Sequence, residues 1–196
     1  MSMNTSNFGE YLVKNVKSFQ GREGYGYNAN LYRGKKKVAF CKDMANGGDV
    51  DIDWIVGKIP KNESDYPSEE KYKQAWAEYH QANKEERDLL EAHLATLDHV
   101  PSNYEGLSDL EIDAGWFVTD CVSKYEADRD LRKMKKECLT KTLFRKNDTP
   151  NKGAYRILKS PCNERARAII LRDFGEDVEI FNDVIANNEI PSVLRA

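Results

Sequence analysis

The feature that most constrains the fold is a change of period at residues 59–67. Upstream, apolar and polar residues alternate in short runs punctuated by glycine; downstream, apolar residues return every three or four positions over long stretches. Alternation with period two marks a strand with one buried face, and the longer spacing marks an amphipathic helix. The joint between them is polar and bounded by prolines, Ile59-Pro60-Lys61-Asn62-Glu63-Ser64-Asp65-Tyr66-Pro67. A chain of this kind reads as α+β, with an N-terminal antiparallel β-meander, two long helices, a second β-hairpin and C-terminal helices. The expected organisation is a sheet unit over residues 1–58, a linker over 59–67, and a mainly helical unit over 68–196 with a hairpin at about 140–159.

In the first part Tyr25, Tyr27, Ala29 and Leu31 alternate, and Arg33-Gly34-Lys35 offers a tight turn before Lys37-Val38-Ala39-Phe40-Cys41. Asn46-Gly47-Gly48 supplies the next turn, because Asn and Gly tolerate the positive φ that such turns need. Beyond it Val50, Ile52 and Trp54 point one way while Asp49, Asp51 and Asp53 point the other.

Ser68 opens a helix to about residue 97, roughly 45 Å long. Its middle, residues 81–88, is polar on nearly every side, and the helix is expected to project or to break there. A second helix is expected over residues 108 to about 138, with a slip of its apolar stripe at 126–130. Residues 141–145 and 154–158 read as a hairpin around the loop 147–153. Ala166, Ile169, Ile170 and Phe174 mark a helix stopped by Gly175, and Val178, Phe181, Val184 and Ile185 mark a last short helix.

Charge says more about partners than about the fold. The net charge of −3 conceals four blocks: +6 over residues 1–42, −14 over 43–128, +10 over 129–172 and −5 over 173–196. Such segregation gives a surface with acidic and basic faces. The acidic candidates for partner binding are Asp49, Asp51 and Asp53 on one strand, with Glu85 and Glu86 on the first helix. Three readings of the aspartate row stand side by side: a guarded strand edge, a partner-binding patch, and a site for a hard cation. The basic candidates are Arg129, Lys133 and Lys136 on one helix face, beside Arg132, with Arg145, Lys146 and Arg156 on the hairpin. With Phe144 and Tyr155 next to them, these cations suit a nucleic-acid strand, an acidic protein, or neutralisation within the fold.

The familiar catalytic and cofactor signatures fail on inspection. The aspartate row lacks the EF-hand glycine, Trp54 standing in its place, and β-branched residues between the acids favour a strand over a loop. Gly21, Gly24 and Gly26 lead into a strand, whereas a phosphate-binding glycine loop opens a helix. Cys41, Cys121, Cys138 and Cys162 form no CxxC pair, and His80, His93 and His99 show no ligand spacing. Ser160-Pro161-Cys162 sits at a strand-to-helix junction, but no histidine follows His99. No cofactor or metal is expected, and no apolar run is long enough to span a membrane, so a cytoplasmic, non-enzymatic binding protein is the expectation. An enzyme whose site assembles only in the fold is kept as an alternative.

The stretches GYGYNANLYRGKKKVAFCKDMANGGDVDIDW and LFRKNDTPNKGAYRILKSP resemble uncharacterised accessory proteins of bacteriophages and prophages. The resemblance covers about half of the chain and carries no functional residues with it. It implies a class: small, charge-segregated phage proteins that inhibit host defence, including anti-CRISPR proteins that occupy nucleic-acid surfaces on their targets. The expected partner is then a host protein or ribonucleoprotein complex, with direct nucleic-acid binding through the 129–172 region as the alternative.

Overall fold

The computed structural model describes residues 8–100, 108–147 and 154–194. Most of the loop expected at 147–153 lies outside these residues. The chain is α+β and divides into two compact units, residues 2–125 and 126–196.

The first unit opens with β1 (Tyr11–Gln20), β2 (Tyr25–Arg33), β3 (Lys36–Asp43) and β4 (Asp51–Trp54), an antiparallel meander in sequence order. Gly34, at φ 59°, starts the two-residue turn joining β2 to β3, a position where a Cβ would be strained. A bulge at Asn15, φ 55°, shifts the β1 register between Lys14 and Lys17 and keeps later side chains in step with β2. The inner face buries Tyr11, Val13, Tyr27, Ala29, Leu31, Ala39 and Cys41. Tyr25 shares their parity but is 79% exposed, because it pairs with Gln20 at the turn end of the β1–β2 hairpin, where the strands run out.

Two helices cover that inner face. The first, α1 (Glu69–Leu94), is capped by Ser68, whose hydroxyl accepts from the Lys71 N–H at 3.4 Å. At 26 residues it is about 39 Å long and it does not break. The polar middle that suggested a break is a buried polar seam instead. Asn83 accepts from the Val56 N–H at 2.8 Å, Glu86 receives Arg33, and Leu90 enters the apolar core one turn on. The second, α2 (Ala114–Cys138), starts later than residue 108 because Asp113 caps it, its carboxylate accepting from the Trp116 N–H at 2.7 Å. It runs without interruption through 126–130. Phe117, Val118, Cys121 and Val122 fill the core above the sheet. The sheet buries its apolar face under α1 and this part of α2, with Phe8, Val56 and Ile112 completing the cluster. The division between the two compact units falls after Tyr125, inside α2.

The second unit is built on a three-stranded antiparallel sheet, β5 (Thr142–Lys146) between β6 (Arg156–Leu158) and β7 (Val178–Ile180). The hairpin expected at 140–159 thus gains a third strand. Val178 and Ile180 belong to that strand and not to a helix: the Val-Glu-Ile run suits an extended backbone, and its partner is the free edge of β5. The helix α3 (Glu164–Phe174) is capped by Asn163, which accepts from the Ala166 N–H at 2.9 Å, and ends at Gly175 with φ 81°. A last helix, α4 (Phe181–Ala186), carries Asn182, whose amide accepts from the Leu143 N–H and donates to the carbonyls of Cys138 and Lys141.

Candidate functional site

The acidic candidates separate into two groups. On β4 the pleat sends Ile52 and Trp54 to the core and leaves Asp51 and Asp53 exposed on the outer face, with Asp49 exposed just ahead of the strand. Among the described residues none of these three aspartates is in an ion pair. Glu85 is exposed on α1 and accepts from Gln81 one turn earlier at 2.9 Å.

Glu86 is not a surface acid. It is 2% exposed and held by a two-pronged guanidinium contact from Arg33, at 2.5 and 3.0 Å, with the Lys36 ammonium at 3.7 Å. The Arg33 hydrogen bonds hold its carboxyl below the usual range against the desolvation that would raise it. The i, i+1 charge pattern made Glu85 and Glu86 look alike; the 100° step between them puts one in water and the other on the sheet.

Two clefts lie near the start of α2. One, about 540 Å³, is lined by Glu91, Leu94, His99, Glu111, Ile112 and Asp113; the other, about 470 Å³, includes Asp49, Val50, Asp113, Gly115, Trp116 and Thr119. Both therefore have acidic walls. Among the described residues no group of three or more His, Cys, Asp or Glu could hold a metal ion.

The basic candidates all fall in the second unit, and the fold sorts them. Arg129, Arg132, Lys133 and Lys136 are exposed at helical spacing on one face of α2, with Arg129 near Glu126 at 3.7 Å and Asp130 at 3.2 Å. Arg145 is only 9% exposed and stands directly opposite Glu179 in the β5–β7 register, so it is an internal residue. Lys146 is half-buried. Arg156 is exposed but lies over the Phe174 ring at 4.7 Å, a cation–π contact. The aromatics expected beside them are also engaged: Phe144 is buried with its centroid 5.0 Å from that of Phe174, and Tyr155 packs 5.8 Å from Phe181. No base can stack on Phe144 where it lies.

The thiols give no sign of an activated nucleophile. Burial pushes Cys41 up to about 12 and raises Cys121, Cys138 and Cys162 as well. A reactive cysteine would show the opposite direction.

On the outer face of the first sheet the aspartates were among the sequence candidates, but the outward positions of β1, β2 and β3 were not. The register aligns Lys14–Asn30–Phe40–Asp53 in one row, Lys17–Asn28–Lys42–Asp51 in the next, and Leu12–Tyr32–Lys37 in a third. Lys14, Lys17 and Lys37 are exposed, while Asn28, Asn30, Tyr32, Phe40 and Lys42 are half-buried. The Lys14 ammonium sits 4.6 Å from the centre of the Tyr32 ring. The same period-two pattern that located the core contains this second set at the alternate parity. Comparison of the chain with protein-family models, with curated proteins and with solved structures gives no match.

Proposed function

We propose that this chain is a non-enzymatic binding protein, a phage-encoded inhibitor of a host nucleic-acid-directed defence complex of the anti-CRISPR kind, acting in the bacterial cytoplasm. The observation that carries the reading is the row Asp49, Asp51 and Asp53, exposed along and just ahead of the edge strand β4 and outside any ion pair among the described residues. Three unneutralised carboxylates on a sheet edge offer complementary charge to a protein surface that normally holds phosphates. They also discourage the edge from pairing with another copy of the chain. The unit that bears them has 15 Lys and Arg against 21 Asp and Glu, so its long-range field supports approach to a basic partner. The phage resemblance supplies the biological class.

The test is phage plating on a bacterial strain with an active CRISPR defence. Expression of the wild-type chain is expected to restore plaques, and Asp49→Lys with Asp51→Lys and Asp53→Lys is expected to abolish that rescue while the variant stays folded. Rescue by the variant equal to that of the wild type contradicts the acidic row as the working surface. A second reading, direct nucleic-acid binding in the 129–172 region, is favoured by the exposed cluster Arg129, Arg132, Lys133 and Lys136. Salt-sensitive DNA or RNA binding lost on Lys133→Glu with Lys136→Glu would make it the better account.

A further inference from the structure

We infer a second binding surface: the outer face of β1, β2 and β3 takes single-stranded nucleic acid. Lys17 and Lys42 stand directly opposite Asn28 from its two sides, so their strands are about 10 Å apart and β2 forms a lane between them. The lane is floored by Asn28, whose Oδ1 is buried, and Asn30, with half-exposed Phe40 beside Asn30 on β3 and Tyr32 further along β2 with the Lys14 ammonium over its ring. Lys14 and Lys37 extend the positive rim along β1 and β3. Ammonium groups at the rim suit phosphates, flat rings suit base faces, and amides suit base edges. That combination is the chemistry of a stacking platform for an unpaired strand. A duplex hides its base faces in its own stack and would leave Phe40 unused.

The acids on the same face sharpen the assignment. Asp51 and Asp53 lie on β4, opposite Lys42 and Phe40, and would repel phosphates from that edge. The strand is therefore confined to β1–β3. The inner face plays no part, since Tyr27, Ala29 and Leu31 are buried under the helices.

The test is fluorescence anisotropy of a labelled single-stranded oligothymidine, with the matching duplex as contrast. Saturable binding of the single strand by the wild-type chain is expected at about 50 mM salt, weakening at higher salt as phosphate contacts require. Lys17→Glu with Lys42→Glu should weaken it at least about tenfold and flatten the salt dependence, each lost phosphate contact lowering the log–log slope by about 0.7. Phe40→Ala should weaken it about five- to a hundredfold through lost stacking. All three side chains point away from the core, and unchanged melting temperatures would separate lost binding from lost fold.

Three results would overturn the assignment: no binding of the single strand by the wild type, equal or tighter binding of the duplex, or full affinity in both variants. Asp49→Lys with Asp51→Lys and Asp53→Lys should leave this binding intact or tighten it, so the surface and the acidic-row function fail separately.

Discussion

Two regions of this molecule carry many cations, and they use them differently. In residues 126–196 the hairpin cations and rings turn inward: Arg145 is buried, Arg156 covers Phe174, Phe144 packs on Phe174 and Tyr155 on Phe181. Arg167 is likewise occupied, by a paired guanidinium contact to Asp183. In residues 11–54 the β pleat does the reverse, sending aliphatic residues to one side and Lys14, Lys17, Lys37, Lys42, Tyr32 and Phe40 to the other. The lesson is that a block's net charge does not rank its surfaces. Period-two geometry exposes a whole row at once, whereas a small sheet with helices packed on it consumes its own charged side chains.

The two regions also differ in what holds them. Among the described residues the first unit buries sixteen apolar side chains in one cluster, whereas the second has a cluster of Met134, Leu143 and Phe181, so hydrogen bonds must do more there. Asn182 alone ties β5, the end of α2 and the segment between them. Thr142 donates to the Ser160 carbonyl at 2.9 Å, and Glu179 accepts from the Ser192 backbone and hydroxyl.

This contrast can be broken experimentally because Trp54, Trp76 and Trp116 all lie in the first unit. Tryptophan emission follows that unit, while far-ultraviolet circular dichroism follows both. The largest effect is expected from Phe117→Ala, which empties a fully buried site against Phe8, Tyr11 and His93 and should cost about 4 kcal/mol in urea unfolding followed by emission.

Arg33→Ala should cost about 3 kcal/mol, because it strands the Glu86 carboxylate in the core with only Lys36 near it. Its penalty depends on pH. Arg33 holds Glu86 below the ordinary glutamate value of about 4.3, so the stabilisation is complete above that pH and is lost as pH falls through the lowered folded value. Variant and wild type should therefore converge in acid, and a penalty constant from pH 7 to pH 2 would contradict the role given to the pair.

Asn182→Ala is expected to cost about 2 kcal/mol by removing three bonds to backbone groups, visible in circular dichroism with little change in tryptophan emission. Coincident loss of both signals would show that the units do not unfold separately. The smallest effect is Gly175→Ala, about 1 kcal/mol, since φ 81° at the end of α3 disfavours a Cβ. Thermal melting followed by circular dichroism would measure it.

The fold was largely legible in sequence because its signals are local. Alternation, Asn-Gly turns, Ser68 and Gly175 act within a few residues, and they locate the meander, the two long helices and α3. What was not legible depends on partners far along the chain. Residues 178–180 become a strand because β5 offers an edge more than thirty residues earlier. Asn83 and Glu86 look like a solvated stretch of helix until Val56 and Arg33 arrive to satisfy them. The candidate site shows the same division: Asp51 and Asp53 are outward because alternation alone decides it, whereas Arg145 is buried on a strand that pairs with residues more than thirty positions on, which sequence spacing does not announce.

The proposed surface for a nucleic-acid strand is the outer face of the first sheet, and not the basic block 129–172. The most direct measurement is an amide NMR titration of the whole chain with a short oligothymidine. Shift changes concentrated on Lys14, Lys17, Asn28, Asn30, Tyr32, Phe40 and Lys42 are predicted. Changes confined to residues 129–136 and 145–156 would contradict it.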